Sequence, residues 1–339
     1  MQSVSRPSIT AIQVYLLTGF LGSGKTTLLS SLIHEPEFAD TAVIVNEFGE
    51  IGLDHVLLEK SDDTDVVLLD SGCLCCATND PLQNTLEDLY YRRLRQEIPP
   101  FQRVVVETSG LANPAPLINA LAADASVSRH YRLNGVITTI DAVHGLNTIS
   151  QYQEAAIQLS IADRIVVTKT DLVTENELDT VQEKIAGANP HASILTSALS
   201  GATISHKLLT DLDGHQIKLA ANNDQNNKQQ TNPQFLHLFK YGISSHVLHA
   251  TQPVSWPGYA AWVDAMQRQF GEKLLRVKGI VRFTDGLPYA IHGVHHLFSP
   301  PQPLYGPIPP KTHGAIVIIA QDTSPDELLG LLPLLTNQT

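Results

Sequence analysis

The chain has very little cysteine, and all of it lies in one place. Of 339 residues, three are cysteine: Cys73, Cys75 and Cys76. A disulfide framework scatters its cysteines, so redox stapling does not organise this fold. No apolar run reaches the roughly 18 residues of a membrane-spanning helix. The first ten residues are polar and lack the apolar segment of a signal peptide, so a cytoplasmic protein is expected. Positive charge is in deficit, with 22 Lys and Arg against 34 Asp and Glu, a formal net charge of −12. Neither nucleic acid nor an anionic membrane is the default partner of such a surface. Hydrophobic residues make up 43% of the chain and charged residues 17%, enough to bury a large core. The length suggests two domains.

What is present starts near the N-terminus. The apolar run Val14-Tyr15-Leu16-Leu17 precedes Thr18-Gly19-Phe20-Leu21-Gly22-Ser23-Gly24-Lys25-Thr26-Thr27, and a helical pattern follows. Gly19, Gly24, Lys25 and Thr26 fit the G-x-x-x-x-G-K-[ST] phosphate-binding loop. Its glycines let successive N–H groups turn toward phosphate oxygens, and the helix N-terminus adds partial positive charge there. Lys25 is placed to reach the β- and γ-phosphates, and the Thr26 hydroxyl to complete a magnesium shell. The plainer reading is a glycine turn joining a strand to a helix.

Further strand ends carry candidate chemistry. The apolar run 42–45 reads as a buried parallel strand and leads into Asn46-Glu47-Phe48-Gly49-Glu50-Ile51-Gly52. In phosphate-loop proteins the loop after the second strand contacts the γ-phosphate and moves on hydrolysis. Glu47 and Glu50 are therefore candidates to hold a water, magnesium or another metal, against a solvated acidic turn. Residues 65–69 read as a third strand and run into Ser71-Gly72-Cys73-Leu74-Cys75-Cys76. Thiolates suit zinc or copper(I), and a tetrahedral site takes a further ligand such as Glu50, a histidine, water or a partner protein. Buried small hydrophobes and a redox switch are the alternatives.

Residues 103–106 read as a strand closing on Glu107-Thr108-Ser109-Gly110. An apolar strand ending in an acid is the Walker B pattern, whose carboxylate acts on magnesium directly or through water. Gly110 offers an N–H close to the γ-phosphate. A later strand, 164–167, ends in Thr168-Lys169-Thr170-Asp171. This parallels the guanine-reading Asn-Lys-x-Asp of GTPases. Asp171 would accept two hydrogen bonds that adenine cannot supply, so GTP is expected over ATP. The Lys169 stem would lie along the base or loop. Thr168 in place of asparagine removes an amide that would brace the site. Helices are expected over 79–97, 115–123, 150–161 and 175–186, and strands over 133–141 and 193–197. Strand and helix alternate from Ile12 to Ser197, which predicts an α/β fold with a mostly parallel sheet flanked by helices.

Residues 220–234, AANNDQNNKQQTNPQ, have no apolar periodicity and read as a linker. The expected division is 1–219, 220–234 and 235–339, the last a smaller α+β domain in the order β-β-α-β-β-β-α. It has strands over 274–284, 287–298 and 316–320 and a helix over 256–270. A C-terminal helix has Ser324 as N-cap, Pro325 first and Glu327 closing a capping box. His292, His295 and His296, with His246 and His249, are either a metal set or polar positions on half-exposed strands.

Taken together, the loop 19–27, Asn46 to Glu50, Gly72 to Cys76, Glu107 to Gly110 and Thr168 to Asp171 resemble the CobW-type metallochaperone GTPases of the YjiA-like branch. Leu275-Arg276-Val277-Lys278-Gly279 and the strands after it resemble that family's C-terminal domain. The likeness covers nearly the whole chain, and Cys-x-Cys-Cys is its most specific element. It implies slow hydrolysis of GTP to GDP and phosphate with Mg2+, zinc bound at the cysteines, and transfer of that zinc to a metal-requiring client protein. By motif position it implies Cys73, Cys75 and Cys76 as zinc ligands with Glu50 beside them. Gly19, Gly22, Ser23, Gly24, Lys25, Thr26 and Thr27 fall around the phosphates, with Gly110, Thr168, Lys169 and Asp171 completing the nucleotide site. Lys25, Glu107 and Glu47 form the catalytic set. The long histidine tract of some members is absent, which favours zinc delivery over storage or cobalt and nickel service. The alternatives are a small-molecule kinase or ATPase, with no need for Asp171, cobalt or nickel insertion, and a metal- or redox-sensing protein. A homodimer is one assembly left open.

Overall fold

A computed structural model of the chain describes residues 11–45, 67–70, 81–197, 208–209, 240–305, 308 and 313–336. Glu47, Glu50, Cys73, Cys75, Cys76 and the expected linker 220–234 lie outside the described residues.

The first part of the chain alternates strands with helices. In order these are β1 (Ile12–Thr18), α1 (Lys25–Leu32), β2 (Thr41–Val45), β3 (Val67–Asp70), α2 (Pro81–Leu94), β4 (Arg103–Glu107), α3 (Ala115–Ala123) and α4 (Ala125–Ser128). There follow β5 (Tyr131–Asp141), α5 (Gly145–Gln151), α6 (Gln153–Ile161), β6 (Arg164–Thr168), α7 (Glu175–Ala188) and β7 (Ser193–Thr196). The seven strands form one sheet in the order β3-β2-β4-β1-β5-β6-β7, every described pair parallel. Such a sheet is covered on both faces, and the apolar runs say so. On β1, Val14 and Leu16 enter one core cluster while Tyr15 and Leu17 enter another on the opposite face.

The single helix expected over 150–161 is two helices. Tyr152, between α5 and α6, is extended at φ −119°, ψ 124°. Its ring stacks on Phe20 with centroids 4.6 Å apart, a tertiary contact that takes one residue out of the helical path.

The second part contains β8 (Ile243–His249), α8 (Trp256–Phe270), β9 (Leu274–Arg282), β10 (Pro288–Val294), β11 (Leu297–Pro303), β12 (Ala315–Gln321) and α9 (Pro325–Leu331). The described order is thus β-α-β-β-β-β-α: one strand more than expected follows α8, while the first strand expected, from Phe235, falls on residues 235–239, outside the described ones. The strand expected over 287–298 is a hairpin, β10 and β11, that turns at His295 and His296, with His295 at φ 50°. The strands form an antiparallel sheet in the order β11-β10-β9-β12-β8. Ser324 and Glu327 do form the capping box of α9.

One face of this sheet packs under α8 and α9 around Trp262, Met266, Phe270 and Leu328. From the other face Ile243, Leu275, Val294 and Ile319 join the core of the first sheet. A buried ion cluster pins the same junction. Asp163, just before β6, accepts from Arg276 Nη2 at 2.6 Å, pairs with Lys278 Nζ, and accepts from Val136 N–H at 2.9 Å. Arg276 and Lys278 are two apart on β9 and so share a face. Burial alone would raise the Asp163 carboxyl, but the two cations overcome it and hold it well below the usual carboxylate range.

Candidate active site

In a parallel sheet all C-terminal strand ends lie along one edge, where α/β proteins bind ligands. Register fixes which residues meet there: Leu17 pairs with Glu107, Glu107 with Val45, and Val45 with Asp70. The β1–α1 loop leaves from this row. Gly19 is buried against β5, where a Cβ would overlap the Thr139 hydroxyl. Gly24 is the N-cap of α1 at φ 88°, a left-handed conformation open to glycine. It provides no capping side chain, and the first turn holds no acid. The start of α1 thus carries the positive end of the helix dipole with no side-chain acid or cap to neutralise it, which suits an anion.

Lys25 arcs back over this loop, its Nζ donating to Gly19 O at 2.8 Å and Phe20 O at 3.3 Å. The Thr26 hydroxyl donates to Glu107 Oε1 at 2.8 Å, and Glu107 is buried. A hydroxyl and a carboxylate brought together from α1 and β4 are hard oxygen donors, the set that suits Mg2+. Thr27, the next residue of α1, is exposed.

A chain of buried hydroxyls braces the loop from below, and sequence reading missed most of it. Thr108 Oγ1 donates to Thr18 Oγ1 at 2.9 Å, and Thr139 Oγ1 to Thr18 O at 3.3 Å. Ser23 Oγ and Thr139 Oγ1 share a hydrogen bond of 2.7 Å. Thr168 Oγ1 donates to Ser23 O at 2.7 Å. Thr168 therefore does brace the phosphate loop. The lost asparagine amide is replaced by a shorter hydroxyl, which corrects the expectation that the brace is gone. The legible signal was a threonine at or within two residues of the C-terminal end of four neighbouring strands, β4, β1, β5 and β6.

Lys169 is at φ 55°, and its Nζ pairs with Asp141 Oδ2 at 2.5 Å. Asp141 Oδ1 also accepts from Val143 and His144 N–H groups. Burial opposes ionisation of Asp141, but these partners more than offset it and lower the carboxyl below its ordinary value. The Lys169 stem lines a cavity of about 170 Å3 behind the loop, together with Phe20, Ser23, Asp141, His144 and Gln158. Asp171 is exposed two residues further on, and Thr170 Oγ1 donates to Ser197 O at 3.2 Å, tying this loop to the end of β7. Gly110, after β4, lies so close to the loop that a Cβ would come within 2.7 Å of Leu21 N.

The histidines do not gather. His246 lies on β8, separated from β10 by β12 and β9, and bonds Ser244 at 2.8 Å. His292 is pushed down to about 3 by burial and by the adjacent Lys278 and Arg276, cations that also oppose a metal there. His295 and His296 occupy a turn, so His292 and His296 do not share a strand face. Among the described residues no three His, Cys, Asp or Glu side chains are grouped to hold a metal.

Known proteins match this arrangement. Residues 13–196 match the family model "CobW/HypB/UreG, nucleotide-binding domain", and residues 243–333 match "Cobalamin synthesis protein cobW C-terminal domain". The chain is 34% identical over 292 residues to the zinc chaperone YjiA of Escherichia coli (strain K12), covering 85% of this chain and 87% of that protein. It is 29% identical over 323 residues to zinc-regulated GTPase metalloprotein activator 1 of Schizosaccharomyces pombe, covering 86% and 77%. The crystal structure of the Zn(II)-bound YjiA GTPase from E. coli superposes with a TM-score of 0.70 at 27% identity, over 96% of this chain and 99% of that one. With a phosphate loop, an acid-terminated β4 and both family models in sequence, the chain belongs to the CobW/HypB/UreG family of P-loop GTPases.

Proposed function

We propose that this chain is a zinc metallochaperone that hydrolyses GTP, binds zinc at Cys73, Cys75 and Cys76, and releases it to a client protein according to nucleotide state. One observation carries the reading. Val45 and Asp70, the last described residues before the Glu47/Glu50 and cysteine segments, are in register with Glu107. These two strand ends thus lie within about 10 Å, or two strand spacings, of Glu107, the partner of Thr26. The similarity to YjiA, a zinc chaperone, and to the Schizosaccharomyces pombe zinc-regulated GTPase metalloprotein activator 1 supports the same reading.

In this reading the N–H groups of 22–27 and the Lys25 ammonium bind the phosphates, and Asp171 reads guanine. Thr168 and Lys169 hold the loops that carry these contacts. Thr26 and Glu107 hold Mg2+, which neutralises charge on the phosphates when bound. Glu47 orients the attacking water and Glu50 adds to the zinc site. The division near 1–219 and 235–339 separates this machinery from the second sheet.

The test compares binding and hydrolysis of GTP and ATP, repeated with Asp171→Ala, while bound zinc is counted before and after replacing the three cysteines by serine. GTP selectivity that depends on Asp171, and zinc lost with the cysteines, is the expected result. ATP turnover indifferent to Asp171 would point to a kinase or ATPase instead.

A further inference from the structure

Gln158 is an amide inside a helix segment otherwise made of Ala155, Ala156, Ile157 and Leu159, and it is 1% exposed. A polar side chain so placed costs stability unless it is bonded. Its Nε2 donates to Gly110 O at 3.2 Å and to Ala112 O at 3.0 Å. Its main-chain carbonyl accepts from Thr138 Oγ1 at 2.8 Å, which fixes α6 to β5 at this point, while the side-chain Oε1 finds no partner among the described residues. Turning the amide over would set Oε1 against two carbonyl oxygens, so the donor side is determined by chemistry.

Residues 109–112 form a four-residue turn, closed by Ala112 N–H donating to Ser109 O at 3.0 Å. Turns of types I and II differ by a flip of their central peptide, here Gly110–Leu111. The C=O and N–H of a trans peptide point in opposite directions. A bond that draws Gly110 O toward α6 therefore holds Leu111 N–H on the opposite side. The turn is wedged: Gly110 presses on Leu21 of the phosphate loop, and Gln158 grips it from behind.

We propose that Gln158 is a positioning residue for GTP hydrolysis, which holds the Gly110–Leu111 peptide in the one orientation that reads the γ-phosphate. This rests on the reading that the loop binds GTP with its γ-phosphate toward this turn, so that the Leu111 N–H donates to it beside the Gly110 N–H. The β-phosphate is bound by the loop itself, which Gln158 does not touch through these bonds. Gln158 therefore governs discrimination between GTP and GDP rather than nucleotide affinity in general.

The test uses the full chain with two substitutions. Gln158→Met keeps length and removes both donors; Gln158→Asn keeps the amide and shortens its reach. Affinities for GDP and for a non-hydrolysable GTP analogue are measured, with kcat and KM for GTP. Both variants are expected to hold GDP within about twofold of wild type and to lose about tenfold in analogue affinity and in kcat/KM, the worth of one to two hydrogen bonds. Equal losses for the two nucleotides, or no loss for either, overturn the inference and leave only a packing role. Should Gln158→Met fail to fold, Gln158→Asn and hydrogen exchange at the Leu111 amide of wild type decide. Slower exchange with the analogue than with GDP supports the inference, and equal exchange overturns it. A wild-type chain that binds neither nucleotide overturns the GTPase reading itself. Wild-type binding with unselective variants overturns the role of Gln158 alone.

Discussion

The parallel sheet buries charge at both ends, and the two ends do it differently. Before β6, Asp163 meets Arg276 and Lys278, so the charges are closed by opposite charges across the two sheets. At the other edge Lys25 bonds carbonyls of its own loop, Glu107 takes a threonine hydroxyl, and the hydroxyls of Thr139 and Thr168 hold the backbone at Thr18 O and Ser23 O. Ion pairing at the first end fixes how the second sheet sits. At the other end a lysine and a carboxylate bond carbonyls and a hydroxyl around a helix N-terminus and shape a place for phosphate. Burial of charge alone does not distinguish architecture from chemistry; the partners do.

Breaking each end should break a different property. Asp163→Ala leaves two buried cations without their carboxylate and should cost about 3–5 kcal/mol in chemical denaturation. The folded carboxyl is depressed, so its contribution is complete above the ordinary carboxylate range and is lost as pH falls below about 4. Asp163→Asn should flatten that acid limb of the stability curve. Lys25→Ala should instead lower kcat/KM for GTP by about 10²–10³-fold, with denaturation in the absence of nucleotide little changed. If Lys25→Ala unfolds the chain, or Asp163→Ala only slows turnover, the contrast between the ends fails.

Smaller effects sharpen it. Thr168→Val removes the brace on Ser23 O and should weaken nucleotide binding about tenfold, measured by titration, while Thr168→Asn restores it. Thr174 caps α7 in a box with Glu177, a few residues past Asp171. Thr174→Ala should cost about 1 kcal/mol of stability and leave nucleotide affinity unchanged.

Much of this was legible in the chain because short-range chemistry dictates it. The apolar runs before Gly19, Glu107 and Lys169 could be buried only as strands of a covered sheet. The ends of α8 at Trp256 and Phe270 and the capping box at Ser324 followed from local pattern. What was not legible depended on contacts distant in sequence. The break at Tyr152 needs Phe20, 132 positions earlier. The turn at His295 and His296 carries no glycine or asparagine to announce it. Thr168 read as a loss because its hydroxyl finds Ser23 only across the sheet, 145 positions away. Gln158 falls in the helix expected over 150–161, and nothing in the local pattern names its partners, Gly110 O and Ala112 O, 46 to 48 positions away.

The central claim joins the nucleotide edge to the thiolate segment that follows Asp70. Linkage requires that if nucleotide alters zinc affinity, zinc alters nucleotide affinity by the same factor. The direct measurement is a zinc titration of the full chain held with GDP and again with a non-hydrolysable GTP analogue. The account predicts affinities that differ by about 5–150-fold between the two states, with the reciprocal shift in nucleotide binding. Equal zinc affinity in both states would contradict it.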